Sequence, residues 1–176
     1  MAEEFVDPAR FSGFLEMHIE QGPVLDMAGE AVGVVTSIVG SRPLQVTIKG
    51  QQNHAGTTPM AMRRDAFQGA AEVAVRLRAR MANVVTPESV WTIGNMRVHP
   101  GASSIVPGLA EFPLQWRDRD GDRLDRMEDV IRAVLDEVAE ETGLEVTARQ
   151  MRADLVPVAM DEGIQAALSK AAEVHA

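Results

Sequence analysis

Apolar and polar residues alternate in several segments of the chain, which is the pattern of half-buried strands. The alternation runs through residues 44–48 and 110–116, and strands are also predicted over residues 90–98 and from Leu144 onward. Every second side chain of a strand points to the same face of a sheet. Each segment is therefore expected to turn one apolar face toward a core.

Apolar residues recur at steps of three and four in two further segments, which predicts two amphipathic helices. The first helix is predicted over residues 60–81, with Thr57 or Thr58 as its candidate N-cap. The second is predicted over residues 121–142 and ends at Gly143. The core-facing side of the first helix is expected to hold Phe67, Ala70, Ala74, Leu77 and Met81.

The predicted order is β-α-β-β-α-β, which indicates an α+β fold of the ferredoxin-like kind. In that arrangement a four-stranded antiparallel sheet carries two helices on one face. The unit is predicted to cover residues 41–154.

The two flanks of this unit are too short to form domains alone. Residues 1–40 are predicted to hold a strand at 14–19, a short helix closed by Gly29 and a buried strand at 32–39. Residues 155–176 are predicted to hold a short apolar stretch and a helix from about Asp161. The flanks are therefore interpreted as parts of a larger structure into which the central unit is inserted.

The charge and composition exclude several classes of function. The chain has 17 Lys and Arg against 26 Asp and Glu and no Cys, so its formal net charge is −9. Without Cys there is no disulfide framework, thiolate zinc site or cysteine nucleophile. The acidic balance argues against nucleic-acid and membrane partners. There is neither a run of about eighteen apolar residues nor a signal peptide, so a cytoplasmic protein is predicted.

Two histidines are candidates for chemistry. His18 lies two residues before Glu20, and in an extended segment both side chains point to one face. One His and one Glu do not make a metal site, so a structural role for His18 stays open. His54 precedes a predicted helix start, where an imidazole can contact an anion or an oxyanion. The alternative for His54 is a solvated turn.

An arginine and a serine pair are the other candidates. Arg117 follows Trp116 in a predicted strand, and its guanidinium suits bidentate binding of a carboxylate. A pair with Asp118 or another acid is the alternative. Ser103 and Ser104 lie in a Gly- and Pro-bounded loop but form no serine-nucleophile motif, and no nucleotide-binding motif is present.

Several long motifs carry a family resemblance. They are the His-Ile-Glu-Gln-Gly segment at residues 18–22, Asn-His-Ala-Gly-Thr-Thr-Pro-Met at 53–60, Arg-Arg-Asp-Ala at 63–66, Ile-Val-Pro-Gly at 105–108 and Trp-Arg-Asp at 116–118. In these segments the chain resembles the N-carbamoyl-L-amino-acid hydrolases and allantoate amidohydrolases of the dinuclear-metal amidohydrolase and carboxypeptidase superfamily.

The resemblance implies a catalytic α/β domain that holds a pair of divalent ions (Zn, Mn, Co or Ni), and an inserted lid that forms a homodimer. It implies that His18 is a metal ligand and that Gln21 contacts the substrate, a small ureido or amide compound with a carboxylate. His54 matches the lid histidine that stabilises the oxyanion, commonly in the partner subunit's active site. Arg117 matches the arginine that holds the carboxylate, and Ser104 stands where many members have an Asn that contacts the same end of the substrate.

The family's other metal ligands and its general base do not match residues of this chain. The chain is therefore expected to be a fragment of such a hydrolase, inactive alone and unable to hold the metals stably. Two alternatives stay open: a non-catalytic ferredoxin-like module for dimerisation or small-ligand binding, and the lid of a related metallopeptidase.

Overall fold

The computed structural model describes residues 7–175, which form two compact units. Residues 7–34 and 162–175 form one unit, and Val35–Asp161 form the other. The helices are α1 (Val24–Ala28), α2 (Ala66–Met81), α3 (Gly121–Thr142) and α4 (Glu162–His175). The strands are β1 (Ser37–Ile38), β2 (Gly40–Lys49), β3 (Asn53–His54), β4 (Val90–Ile93), β5 (Arg97–His99), β6 (Ile105–Val106), β7 (Leu109–Asp118), β8 (Glu145–Gln150) and β9 (Val158–Ala159). Short 3-10 helices cover Pro8–Arg10 and Met60–Met62. The predicted boundaries near residues 40 and 154 stay predictions.

The main sheet is antiparallel and has the strand order β4-β7-β2-β8, with β5 also paired to β7. The two long central strands pair from Gly40 with Asp118 to Lys49 with Leu109. Two small antiparallel pairs, β1 with β9 and β3 with β6, lie outside the main sheet. The pair of β3 and β6 is the one that positions the candidate site.

The core lies between one face of the main sheet and helices α2 and α3. The sheet buries Leu44, Val46 and Ile48 from β2 and the alternating side chains from Ala110 to Trp116 of β7. The other face of the same strands carries mostly polar side chains, in keeping with period-two alternation. The structure is thus a mixed α and β fold with antiparallel sheets.

Helix α3 has the predicted bounds because both of its ends are encoded locally. The Asp120 carboxylate accepts hydrogen bonds from the backbone N–H groups of Asp122 and Arg123 at 2.9 and 3.3 Å. Gly143 closes the helix in the left-handed region, with φ of 65°. The prediction for this helix is confirmed.

The prediction of a continuous helix from residue 60 is wrong. Met60–Met62 form only a 3-10 turn, and the chain is extended at Arg63 before α2 begins at Ala66. The N-cap is Asp65, whose carboxylate accepts the N–H of Phe67 at 2.9 Å. A carboxylate next to the first helical turn is the better acceptor for its free N–H groups, so neither threonine caps α2. Phe67, expected in the core, is 47% exposed.

The predicted strand at residues 90–98 is two strands. Ile93 pairs with Leu114 and Arg97 with Glu111. The chain advances by four residues between these two pairs, whereas β7 advances by only three. This extra residue is the signature of a β-bulge, which bends a strand and interrupts its pairing.

In the N-terminal flank, helix α1 is confirmed and both strand predictions are wrong. Residues 14–19 form no strand and are exposed, with Phe14 at 83% and Ile19 at 75%. Only Ser37 and Ile38 of the predicted buried strand are paired, and Val35 is 59% exposed. Among residues 7–175, no strand lies beside residues 14–19 or 32–36. An apolar segment forms a strand only where a neighbouring strand accepts and donates its backbone hydrogen bonds.

The helix predicted from about Asp161 is confirmed as α4. Between residues 7 and 175, no helix is long and apolar enough to cross a membrane.

Candidate functional site

His54 lies at the start of a tight turn that is joined to a distant loop. Strand β3 pairs His54 with Ile105, and the N–H of Ala55 donates to the carbonyl oxygen of Ser104 at 2.8 Å. The N–H of Thr58 donates to the carbonyl oxygen of His54 at 3.1 Å. The backbone around His54 is therefore held by hydrogen bonds on both sides, although its side chain is exposed.

The hydrogen bonding of the His54 ring defines its tautomer. The backbone N–H of Gly56 donates to Nδ1 of His54 at 3.0 Å. A backbone N–H can only donate, so Nδ1 is the acceptor and the neutral ring carries its proton on Nε2. His54 thus presents an N–H donor to solvent, which is the group needed to stabilise a developing oxyanion.

An open cleft of about 470 Å³ surrounds this histidine. It is lined by Gln52, Asn53, His54, Ser104 and Ile105. The structure therefore brings two of the predicted site residues together, His54 and Ser104. It adds Gln52 and Asn53, which were not among the predicted site residues. The cleft forms through the pairing of β3 with β6, which no pattern in the nearby sequence indicates.

Arg117 lies near the other end of the main sheet, paired with Ser41 of β2. Its guanidinium donates to Oε1 of Gln115 at 3.1 Å, and the Gln115 amide donates to Oγ of Ser41 at 2.8 Å. The alternative of a pair with Asp118 does not hold. Asp118 points to the opposite face, where it is 1% exposed and lies 3.3 Å from Nε of Arg123. Within the described part of the chain, no carboxylate forms an ion pair with Arg117.

His54 and Arg117 are associated with opposite ends of the central strands. His54 follows the end of β2 and pairs beside the start of β7, where Gly50 donates its N–H to the carbonyl of Gly108 at 2.9 Å. From Leu109 to Arg117, β7 extends about 27 Å at about 3.4 Å per residue. Arg117 and Ser104, for which the resemblance implies the same end of the substrate, are separated in the same way.

His18 and Gln21 belong to the other unit and are both exposed. The Nδ1 atom of His18 lies 2.6 Å from the carbonyl oxygen of Ile19. Gln21 has φ of 55°, in the left-handed region that residues other than glycine seldom adopt. Glu20, the expected neighbour of His18, instead accepts the N–H groups of Val24 and Leu25 at 2.8 and 3.1 Å and caps α1. Within residues 7–175, no three His, Asp or Glu side chains form a group that could hold a metal ion.

Comparison with known proteins identifies the family. The sequence model of the peptidase dimerisation domain family matches residues 36–143. The chain is 43% identical over 136 residues to the N-carbamoyl-L-amino-acid amidohydrolase of Paenarthrobacter aurescens, covering 77% of this chain and 33% of that protein. It is 36% identical over 167 residues to the allantoate amidohydrolase of Escherichia coli, covering 91% of this chain and 38% of that protein.

A solved structure agrees with these matches. The amidase of the hydantoinase/carbamoylase family from Burkholderia phymatum superimposes with a TM-score of 0.86 at 38% identity, over 90% of this chain and 39% of that one. The chain thus spans less than two fifths of the length of each of these relatives. It belongs to the peptidase dimerisation domain family, in the branch that resembles the N-carbamoyl-amino-acid and allantoate amidohydrolases.

Proposed function

We propose that this chain is the lid and dimerisation part of a metal-dependent hydrolase that cleaves C–N bonds of linear amides. The substrate class is the N-carbamoyl-L-amino acid or allantoate type, which the names of the relatives support. The observation that carries the proposal is a pair of groups: an Arg117 guanidinium that no carboxylate of residues 7–175 pairs with, and an outward N–H donor at His54.

The two groups suit the two ends of such a substrate. A guanidinium binds a carboxylate through two parallel charge-assisted hydrogen bonds, so Arg117 fixes the amino-acid end. The Nε2–H of His54 donates to the carbonyl oxygen as it gains negative charge, which lowers the barrier to attack. Ser104, beside His54 in the cleft, and Gln21 supply further substrate contacts.

The separation of these groups supports a site shared between two copies of the chain. A small substrate cannot bridge the distance between opposite ends of β7, so His54 and Arg117 of one copy do not act on the same molecule. In a two-fold dimer, each copy can offer its His54 to the site that holds the other copy's Arg117. Two equivalent sites result, each with residues from both subunits.

The surface that we propose for this dimer combines strand β4 and the outer side of α2. Strand β4 is an edge of the main sheet and pairs only with β7 within residues 7–175. Helix α2 exposes Phe67 at 47% and Val75 at 58%, with exposed Ala71 between them at the same helical spacing. An open edge beside an exposed apolar stripe is the kind of surface that a second copy covers.

We also propose that the main sheet and its two helices are the ferredoxin-like lid, and that the two flanks belong to the α/β catalytic domain. The succession β2, α2, β4, β7, α3, β8, in the spatial order β4-β7-β2-β8, supports the first part. The amidase match, which extends beyond the main sheet to 90% of the chain, supports the second.

A divalent metal pair belongs to this proposal but cannot be assembled from the described residues. His18 offers one imidazole, and among residues 7–175 no carboxylate or second histidine joins it in a group of three. A catalytic site needs at least three protein ligands for one ion. The remaining ligands are therefore proposed to come from other parts of the enzyme. The residues of this chain bind and orient the substrate and donate hydrogen bonds to it.

The decisive experiment is complementation between two impaired variants of the enzyme that carries this chain, assayed at a substrate concentration far below the KM of either variant. H54A and R117A are purified separately, mixed and allowed to exchange subunits. A shared site predicts that activity returns to about one quarter of the native value. This is because half of the dimers are then mixed, and each mixed dimer has one of its two sites intact.

Three other outcomes would count against the proposal. If each variant is inactive and the mixture stays inactive after exchange, His54 and Arg117 serve the same site within one copy, or do not serve one site at all. If each variant alone keeps native activity, the chain is a non-catalytic dimerisation module. Activity on peptides but not on ureido compounds would favour the metallopeptidase alternative.

A further inference from the structure

Arg63 is tied to the turn that carries His54. Its half-buried guanidinium donates from Nε to the carbonyl oxygen of Thr58 at 3.0 Å and from the second terminal nitrogen to that of Ala55 at 2.5 Å. These two carbonyls stand on either side of Gly56, whose N–H donates to Nδ1 of His54. One guanidinium therefore spans the short segment that orients the imidazole.

We infer that Arg63 is the positioning residue of His54: it holds residues 55–58 in the conformation that aims the Gly56 N–H at Nδ1, and so keeps Nε2–H outward. This inference rests on the proposed function only for its catalytic consequence. The tautomer itself is a property of the chain and is measurable without activity.

The positions of the two carbonyls require a rigid side chain with two hydrogen-bond donors. The carbonyls of Ala55 and Thr58 belong to residues three apart, and the planar guanidinium contacts both at once. A lysine ammonium is a point donor on a flexible stem and does not impose the same spacing. Without the Arg63 guanidinium, water can donate hydrogen bonds to both carbonyls, and the peptide group of Gly56 is free to rotate away from the imidazole ring.

The space around Gly56 shows how closely the turn packs on the imidazole. A Cβ at position 56 would lie 3.2 Å from Cε1 and 3.4 Å from Nδ1 of His54. The ring would have to move by a few tenths of an ångström to accept it. Gly56→Ala therefore disturbs the same hydrogen bond from the other side, without removing Arg63.

The next residue supplies a matched control. Arg64 is also an arginine with a backbone carbonyl as its partner, but its guanidinium donates to Gly143 at the end of α3. Arg64→Ala removes the same side chain and charge and leaves every contact of the His54 turn in place.

The test is ¹⁵N NMR of the histidine side chains in the full 176-residue chain. The native chain is expected to show His54 with a protonated Nε2 and a bare Nδ1, and a Gly56 amide protected from exchange. R63A and G56A should shift the His54 ring nitrogens toward the averaged values of a free imidazole and speed exchange of the backbone amide of residue 56 by about ten-fold or more. R63K should fall between, and R64A should match the native chain.

In the enzyme, R63A should lower kcat by about ten-fold or more while KM changes less than about two-fold, since the misplaced donor acts on the transition state. If R63A does not fold, R63K carries the comparison. The inference is overturned if the native ring is protonated on Nδ1, or if folded R63A or R63K leaves the ring nitrogens and the Gly56 amide unchanged. A locked tautomer in an enzyme whose activity ignores H54A would instead overturn the proposed function alone.

Discussion

The carbonyl oxygen of Arg64 occupies the place where a side chain at Gly50 would begin. A Cβ built on Gly50 would lie 1.9 Å from that oxygen, far inside any real contact. The same carbonyl accepts the N–H of Gln51 at 2.8 Å. The two residues thus close the base of the segment that carries His54, and they can do so only because position 50 has no side chain.

Gly50→Ala should destabilise the unit of residues 35–161 by about 1–3 kcal/mol or prevent its folding, because the obstacle is backbone and cannot rotate away. Chemical denaturation followed by circular dichroism measures the loss. Gly94→Ala is the matched control, since nothing lies within 4 Å of a Cβ there. Equal stabilities of the two variants would contradict the close approach.

The roles proposed for Arg117 and His54 predict different kinetic effects when each residue is substituted in the enzyme. Arg117→Gln should raise KM by about 10–100-fold with a smaller effect on kcat, because a carboxylate anchor binds substrate and transition state alike. His54→Ala should lower kcat by about 10²–10³-fold, because an oxyanion donor acts mainly in the transition state.

The control for these substitutions is Arg149→Gln, an exposed arginine of β8 on the same open face as Arg117. It should leave both kinetic constants near native. A fall in kcat with unchanged KM for Arg117→Gln would argue against a carboxylate anchor.

The contact between α2 and α3 should weaken in acid. Hydrogen bonding from the Arg80 guanidinium lowers the pKa of Glu137 below its ordinary value of 4.5, and Arg76 does the same to the pKa of Glu141. A carboxyl with a lowered pKa in the folded state stabilises the fold above its ordinary pKa, and that contribution is lost as the pH falls through the lowered value.

Thermal unfolding between about pH 7 and about pH 3 tests this relationship. The fall in Tm below about pH 5 should be shallower in E137Q/E141Q than in the native chain, and salt should reduce the difference because the pairs are partly exposed to solvent. Glu140→Gln, on the same helix and outside the ion pairs found in residues 7–175, should follow the native curve. Identical slopes for all three proteins would refute the link.

A charge on the outer side of α2 should weaken the proposed dimer. Val75 is 58% exposed, and in a two-fold interface each Glu introduced there would be desolvated or face its own copy. Val75→Glu should raise the dimer dissociation constant by about ten-fold or more, measured by light scattering across a dilution series. Ala133→Glu adds the same charge to an exposed position of α3 and should leave the dimer intact. Dimers unchanged by Val75→Glu would exclude this surface.

Elements with local signals were predictable, and those that depend on distant partners were not. Asp120 and Gly143 delimit α3 through contacts within a few residues, so its bounds follow from sequence. The start of α2 depends on the loop before it, which is held by the hydrogen bond from Ala66 to the carbonyl of Pro107 at 3.0 Å. No pattern near residue 60 reveals that bond, which is why the helix was expected too early.

The candidate site also has a part that was predictable from the sequence and a part that was not. The motifs around His54 and Arg117 were recognisable in the sequence, but the neighbours of these residues were not. Ser104 reaches His54 through the pairing of β3 with β6, and Gln115 reaches Arg117 through strand alternation on the open face. The assignment of Arg117 and Ser104 to one end of the substrate came from resemblance, and in one copy the strand register separates them.

The sequence by itself determined the order of the main-sheet strands and of the two helices packed on them, the acidic charge and the residue types available for chemistry, because periodicity, capping and composition are local properties of the chain. Only the tertiary structure decided where the candidate site residues lie. Strand pairing between residues far apart in sequence put His54 beside Ser104, and the ten-residue register of β2 with β7 put Arg117 at the other end of the sheet. A register is a property of two strands at once, so neither strand's sequence alone contains it.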